Sequence, residues 1–286
     1  MNKLTLKRRL KTLRWHYRRR QAARRFGADA LSRAPIVFGN AIPKSGSHLI
    51  IQVLLGLTGI GPFVDSGFPP ANRDEANLKL QPERVLANLK AMRPGDIGYG
   101  YIGCEEPYLG LLTAPGRATI FIHRDPRDVI VSSVFYISEI NPGHALHEYY
   151  NREFDSVEAR IKAEISGIDD PENRYSGVRK RFEKYIGWLD QPAVLSLRFE
   201  EIILARDEAF NRLLDYLETR GATFAVQREQ ALAALHATIQ PKKSGTFRKG
   251  QPGNWREHFT EANKALFKET AGDILLRLGY EKDNNW

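Results

Sequence analysis

The sequence predicts an α/β fold with a mostly parallel central sheet flanked by helices, on three observations. Three short apolar runs, 36–38, 118–123 and 193–199, carry the branched and aromatic residues of buried strands. Each precedes a longer stretch of helical periodicity, and strands alternating with helices build layered structures around a parallel sheet. No internal repeat or low-complexity linker interrupts the chain after residue 34. Residues 35–286 therefore read as one domain behind a basic N-terminal extension, 1–34.

Strand 36–38 leads to Pro43-Lys44-Ser45-Gly46-Ser47, a run of turn chemistry, and then to an apolar helix over 48–55 that closes near Gly56 and Gly59. Strand, small-residue turn and helix make up the phosphate-binding half of a βαβ unit. Residues 61–77 hold Gly, Pro and Asn without periodicity and read as a loop, followed by a helix over 82–92. The glycines of 97–104 (IGYGYIGC) suit a short strand that a ligand or backbone approaches closely. Strand 118–123 runs straight into Arg124-Asp125-Pro126-Arg127-Asp128 and a helix over 129–137. Residues 138–177 are polar and irregular, with short helices, while 178–190 carries Phe182, Tyr185, Ile186 and Leu189 on one face. Further helices are expected at 207–219 and 261–278.

The chain has 286 residues, 42% hydrophobic and 27% charged, enough to bury a substantial core. Its net charge of +9 is unevenly spread. Residues 1–26 contain eleven Lys or Arg and no acid, and the remainder sets 32 basic against 34 acidic residues. The high charge thus belongs to the extension and argues against a nucleic-acid groove in the domain. Leucines and aromatics interleave those cations (Leu4, Leu6, Leu10, Leu13, Trp15, Tyr17), so 1–26 is either a solvated, partly disordered basic tail or a contact for an anionic membrane surface or another polyanion. No apolar core of a secretory signal follows the charges, and the longest apolar stretch, 49–57, is too short to span a bilayer. One cysteine, Cys104, excludes an internal disulfide. A cytoplasmic protein, soluble or peripherally membrane-bound, is expected.

Three segments have chemistry suited to an anion. In 43–47, small residues let backbone N–H groups converge on a phosphate beside a helix N-terminus; a tight turn with a solvated lysine explains the segment equally well. It is not a Walker A loop, because the lysine precedes the glycine. Arg124 stands at the end of a buried strand with Ser132 eight residues on, where it either clamps a phosphate or pairs with Asp125 or Asp128. Thr246-Phe247-Arg248-Lys249-Gly250 and Gly253-Asn254-Trp255 suit either a flap over a polyanion or an exposed basic loop.

Occurring together and in this order, the three segments resemble the sulfotransferases that use 3′-phosphoadenosine-5′-phosphosulfate (PAPS) and release PAP. In that family a PKSGTT-like loop takes the 5′-phosphosulfate, an RDP-x-D-x-x-x-S element the 3′-phosphate, and an RKG-x-x-G-D/N-W loop covers the nucleotide. The ending Leu278-Gly279-Tyr280-Glu281 through Trp286 is also similar to bacterial members. The resemblance runs from about residue 35 to the end and implies a three-layer, P-loop-like fold and sulfuryl transfer to a hydroxyl or amine. It implies that Lys44 neutralises the oxygen bridging sulfur and phosphorus, and that backbone N–H groups of Ser45, Gly46, Ser47 and His48 hold the 5′-phosphate. Arg124, Ser132, Arg248, Lys249 and Gly250 would hold the 3′-phosphate. No metal is implied, and no His, Cys or carboxylate spacing suggests one.

The chain departs from the family in three places. Leu49 replaces an adenine-stacking aromatic, leaving that packing to aliphatic groups or to another residue such as Trp255. Phe199 replaces a tyrosine after the third strand. Tyr101 occupies the place of a histidine general base, so Glu105, Glu106 or His48 is the candidate base, with Glu105 slightly favoured. A carboxylate serves if burial raises its pKa. The acceptor, a small molecule, glycan or lipid, would meet 61–77, 99–110 and 136–176, including Phe63, Phe68, Tyr101, Tyr136, His144, His147 and Tyr150. Two rivals are a PAP-binding protein without turnover, which Tyr101 allows, and a P-loop nucleotide kinase. The kinase predicts an acidic strand end for Mg²⁺ where this chain has His123-Arg124.

Overall fold

A computed structural model describes residues 3–240 and 250–286. Its strands are β1 (Ile36–Ala41), β2 (Val64–Asp65), β3 (Asp96–Gly100), β4 (Arg117–His123), β5 (Gly167–Ile168), β6 (Tyr175–Ser176) and β7 (Val194–Arg198). The first helices are α1 (Lys3–Phe26), α2 (Ala28–Arg33), α3 (Ser47–Ile60), α4 (Pro82–Lys90), α5 (Tyr108–Thr113), α6 (Pro126–Phe135) and α7 (His147–Glu153). The rest are α8 (Val157–Ser166), α9 (Val178–Ile186), α10 (Phe199–Leu204), α11 (Arg206–Thr219), α12 (Arg228–Thr238) and α13 (Glu261–Leu278). They form two compact units: 3–42, 46–123 and 188–240 in one, and 43–45, 124–187 and 250–286 in the other.

The first unit carries a five-stranded sheet in the order β2-β3-β1-β4-β7, parallel throughout. The α/β fold with a parallel sheet flanked by helices is the one expected. β1 and β4 are buried along their whole length, which is why they read as continuous apolar runs rather than alternating ones. Val37, Leu54, Ile120, Leu197, Leu213 and Leu235 sit in the apolar core around them. From β1 the chain builds β3 on one side and β4 on the other, so the strand order reverses beside β1. Open α/β sheets bind ligands beyond the carboxyl ends of the strands at such a switch point. Ala41 is level with Ile122, so the 43–47 segment and Arg124 leave adjoining strand ends.

Two side chains shape the segment after β3. Buried Asn40 donates to the Ile102 carbonyl at 2.9 Å and accepts from the Ile102 N–H at 2.8 Å. Trp188 Nε1 donates to the same carbonyl at 2.8 Å. These bonds replace the ladder, so the strand expected over 97–104 ends at Gly100.

The basic extension is helical from residue 3: one side of α1 and α2 packs within the first unit, burying Trp15, Ala22 and Leu31 with Val64, while much of α1 stays exposed. No described helix is long and apolar enough to cross a membrane.

In the second unit, α6 begins with Pro126 in its first turn, and the Asp125 carboxylate accepts from the Arg127 N–H. The helix runs into a π-helical turn, Tyr136–Ile140. Glu164 of α8 is fully buried, accepting hydrogen bonds from Tyr150 Oη at 2.6 Å and Ser133 Oγ at 3.0 Å, and pairs with Arg181 at 2.7 Å.

Candidate active site

The 43–47 turn is held in a conformation that side chains resist. Lys44 has φ 70° and Gly46 φ 96°, both left-handed, and a non-glycine residue there costs about 1–2 kcal/mol. Backbone turned this way brings successive N–H groups toward one point. A Cβ on Gly46 would lie 2.6 Å from Phe199 Cδ2, so glycine is required there by space as well as by φ. Gly46 is also the N-cap of α3 and has no side chain to cap it, while its carbonyl accepts from the Leu49 and Ile50 N–H groups at 2.9 and 3.0 Å. Ser45 is fully buried, and its Oγ has no hydrogen-bond partner among the described residues. Such an orphan costs about 1–3 kcal/mol until an acceptor arrives.

Lys44 Nζ sits 3.7 Å from the centre of the Tyr136 ring and makes no ion pair or hydrogen bond with a described residue. Burial, and then the Arg124 charge, lower its pKa from 10.5 to about 8, with buried Glu164 partly opposing them. The ammonium is thus charged at neutral pH and short of anionic partners. A buried hydroxyl and a cationic head at a helix N-terminus fit a phosphosulfate.

The second segment is the reverse. Buried Arg124 donates to the Gln251 carbonyl at 3.0 Å and pairs with Asp128 at 3.3 Å. The Asp128 carboxylate also accepts the N–H groups of Gly253 and Trp255, both at 2.8 Å. One buried acid thus joins the Arg124 segment to the Gly253–Trp255 turn. Burial raises the Asp128 pKa, against the pull of Arg124. Arg127 pairs with Asp125 at 2.8 Å and Glu281 at 2.7 Å while stacking at 3.9 Å over Trp255 and 4.4 Å over Trp286. Trp255, one of the alternatives for packing on adenine, is buried in this cluster. Ser132 lies half-buried on α6 and Gly250 takes φ 63°. Arg248 and Lys249 lie outside the described residues.

Tyr101 Oη is 3.0 Å from Ser47 Oγ, and Asn72 grips the Tyr101 backbone from both sides. The residue in the place of the family's histidine therefore touches the start of α3. His48 is exposed in the first turn of α3, and Glu105 and Glu106 are exposed before α5. The burial asked of Glu105 is absent. Of the expected acceptor-side aromatics, Phe63 and Tyr150 are core residues and Phe68 packs on Trp15. Tyr136 and His144 lie with Lys44, the histidine edge-on to the tyrosine ring at 5.9 Å.

The two histidines present different faces. His144 Nδ1 accepts from the Leu146 N–H at 3.1 Å, so its neutral ring carries hydrogen on Nε2 and donates from there. His147 Nδ1 lies 2.8 Å from the Ile137 carbonyl and must be the donor, leaving an Nε2 lone pair that the Asn151 amide approaches at 3.3 Å. The pairing of Arg124 with Asp128 is one of the two arrangements expected from the sequence, whereas Glu164, these tautomers and the bonds from Asp128 to Gly253 and Trp255 were missed.

The sulfotransferase domain family matches residues 115–275, more than half of the chain. No curated protein matches it in sequence. Among solved structures it is similar to mouse sulfotransferase SULT7A1 complexed with PAP, with TM-score 0.60 and 16% identity over 86% of this chain and 88% of that one. It is similar to retinol dehydratase in complex with androsterone and inactive cofactor PAP, with TM-score 0.51 and 14% identity over 86% and 83% of the two chains. A third likeness is to retinol dehydratase in a complex with retinol and PAP, with TM-score 0.52 and 16% identity over 85% and 82%. At these identities the structures establish the fold and the domain match establishes the kinship: the chain belongs to the sulfotransferase family, the PAPS-dependent transferases.

Proposed function

We propose that this chain transfers the sulfuryl group of PAPS to a hydroxyl or amine of a small molecule, glycan or lipid, residues 35–286 carrying the machinery. The acceptor oxygen or nitrogen attacks sulfur in line. The bond from sulfur to the bridging oxygen breaks, its electron pair stays on the 5′-phosphate of PAP, and the acceptor's proton passes to a base. Little covalent chemistry falls to the protein, so placement and charge do the work.

The carrying observation is Lys44: a desolvated ammonium in a left-handed turn, lacking an anionic partner among the described residues. Charge building on the bridging oxygen would complete it. Backbone N–H groups of Ser45, Gly46, Ser47 and His48 take the 5′-phosphate. Arg124, Ser132 and Gly250, with Arg248 and Lys249, take the 3′-phosphate. Glu105 or His48 receives the proton; both are exposed, so neither is favoured by burial.

The test is incubation with sulfur-labelled PAPS and a mixed panel of phenols, steroids, glycans and lipids. Label on an acceptor, reduced at least about a hundredfold by Glu105→Gln or by His48→Ala, supports the reading and names the base. A second reading, a PAP-binding protein without turnover, is favoured by Tyr101, whose hydroxyl is held by Ser47 where a base would stand. Calorimetric binding of PAP with no labelled product from any acceptor would select it.

A further inference from the structure

Helix α1 divides its cations between two faces. On the inner face Lys11 pairs with Glu75 at 2.6 Å, Arg18 with Asp65 at 2.6 Å and Arg19 with Asp96 at 2.7 Å. Arg8 donates to Asn88 Oδ1 at 3.2 Å, Arg25 to the Gly59 carbonyl at 2.8 Å, and Trp15 Nε1 to Asp96 at 2.9 Å. That face is fastened to the first unit.

The opposite face is different. Leu6, Leu10, Leu13 and Tyr17 recur at helical spacing and form one stripe about 17 Å long. They are 46%, 47%, 66% and 62% exposed, and they are four of the seven large apolar side chains exposed among the described residues. Lys7, Arg14, Arg20 and Arg24 are exposed around the stripe and make no ion pair or hydrogen bond with a described residue.

From this division we infer that α1 is a docking surface for an anionic lipid bilayer, lying in the interface plane with the Leu6-Leu10-Leu13-Tyr17 stripe in the acyl boundary. Three occupants compete for a stripe of this kind, and charge and polarity separate them. A soluble polyanion uses the outer cations but gains nothing from the leucines. A second copy of the chain covers the leucines but sets the same cations against one another. A bilayer containing anionic lipid takes up both sets at once. With no described helix able to cross a membrane, the contact is peripheral.

The test uses the full chain and co-sedimentation with phosphatidylcholine vesicles, alone or with phosphatidylglycerol as roughly a third of the lipid. Binding to the anionic vesicles only is expected, weakening as salt is raised. Leu10→Glu with Leu13→Glu should reduce it at least about tenfold, and Lys7→Gln with Arg14→Gln, Arg20→Gln and Arg24→Gln by a similar factor. PAP affinity by calorimetry should be unchanged in both variants, which shows that they fold and keeps this test separate from the transferase reading. No binding to anionic vesicles would overturn the inference. So would equal binding by the leucine variant, which would mean charge attraction alone, or a concentration-dependent dimer abolished by the leucine changes.

Discussion

The 43–47 loop and the Arg124–Asp128 segment, both proposed above to hold a phosphate and both leaving adjoining strand ends, treat their charges oppositely. Lys44 is desolvated, strained and without an anionic partner among the described residues, and Ser45 keeps an orphan hydroxyl. Arg124 is already engaged by Asp128 and Gln251, and Asp128 by two backbone amides. The first region is unfinished in a way that the phosphosulfate proposed above would complete. The second is a finished scaffold that orients a cation in advance. On the proposed reading, catalytic charge and positioning charge differ in where their compensation comes from, the substrate or the fold.

The largest effect expected is on turnover. Lys44→Ala should lower single-turnover sulfuryl transfer by about 10³ or more while PAP binding stays measurable, because the missing charge acts mainly on the leaving oxygen. Unchanged turnover would erase the contrast between the regions.

Next comes stability, with opposite signs in the two places. Asp128→Ala leaves Arg124 buried beside unpaired amides and should cost about 3–5 kcal/mol in denaturant unfolding. Lys44→Met should stabilise the protein by roughly 2–3 kcal/mol. The sign follows from the depressed pKa: burial lowers the folded lysine from its ordinary 10.5 to about 8, so its charge opposes folding fully below pH 8. That penalty fades as pH rises toward 10.5, and the gain from Lys44→Met should fade with it. A destabilised Lys44→Met would show that the lysine supports the fold.

A smaller effect sharpens the same comparison. PAP carries negative charge that favours the protonated lysine, so its affinity should fall above pH 8 by up to about tenfold per unit. Lys44→Met should flatten that limb, whereas Ser132→Ala, in the Arg124 segment, should lower affinity by a similar factor at every pH.

Much of this was legible in the chain because the elements that carry it are local. The 43–47 turn joins a buried strand to an apolar helix, and Arg124 follows seven apolar or buried strand positions, so both stand out in a linear reading. What was hidden depends on contacts distant in sequence. The bonds from Asp128 to Gly253 and Trp255 join residues more than a hundred positions apart. Trp255 looked available to an adenine, but composition cannot show that Arg127 and Arg256 already stack over its ring with Trp286 perpendicular to it. Phe63 and Tyr150 read as pocket aromatics for the same reason, since an aromatic in a loop-like segment does not announce whether it is buried. The six-residue α5 is too short to show a period, and α12 has only Ala231 and Leu235 buried, a weak stripe. In α1, inner and outer cations were indistinguishable until their partners, Glu75, Asp65 and Asp96, were placed.

The central claim is that one nucleotide is read by Lys44 and its loop at the 5′ side and by Arg124 at the 3′ side. Calorimetric titration with PAP and with 5′-AMP, on the wild type and on Arg124→Ala, tests it most directly. The account predicts that wild type prefers PAP by about a hundredfold or more and that Arg124→Ala loses most of that preference while binding 5′-AMP nearly as before. Equal affinity of the wild type for the two nucleotides would contradict it.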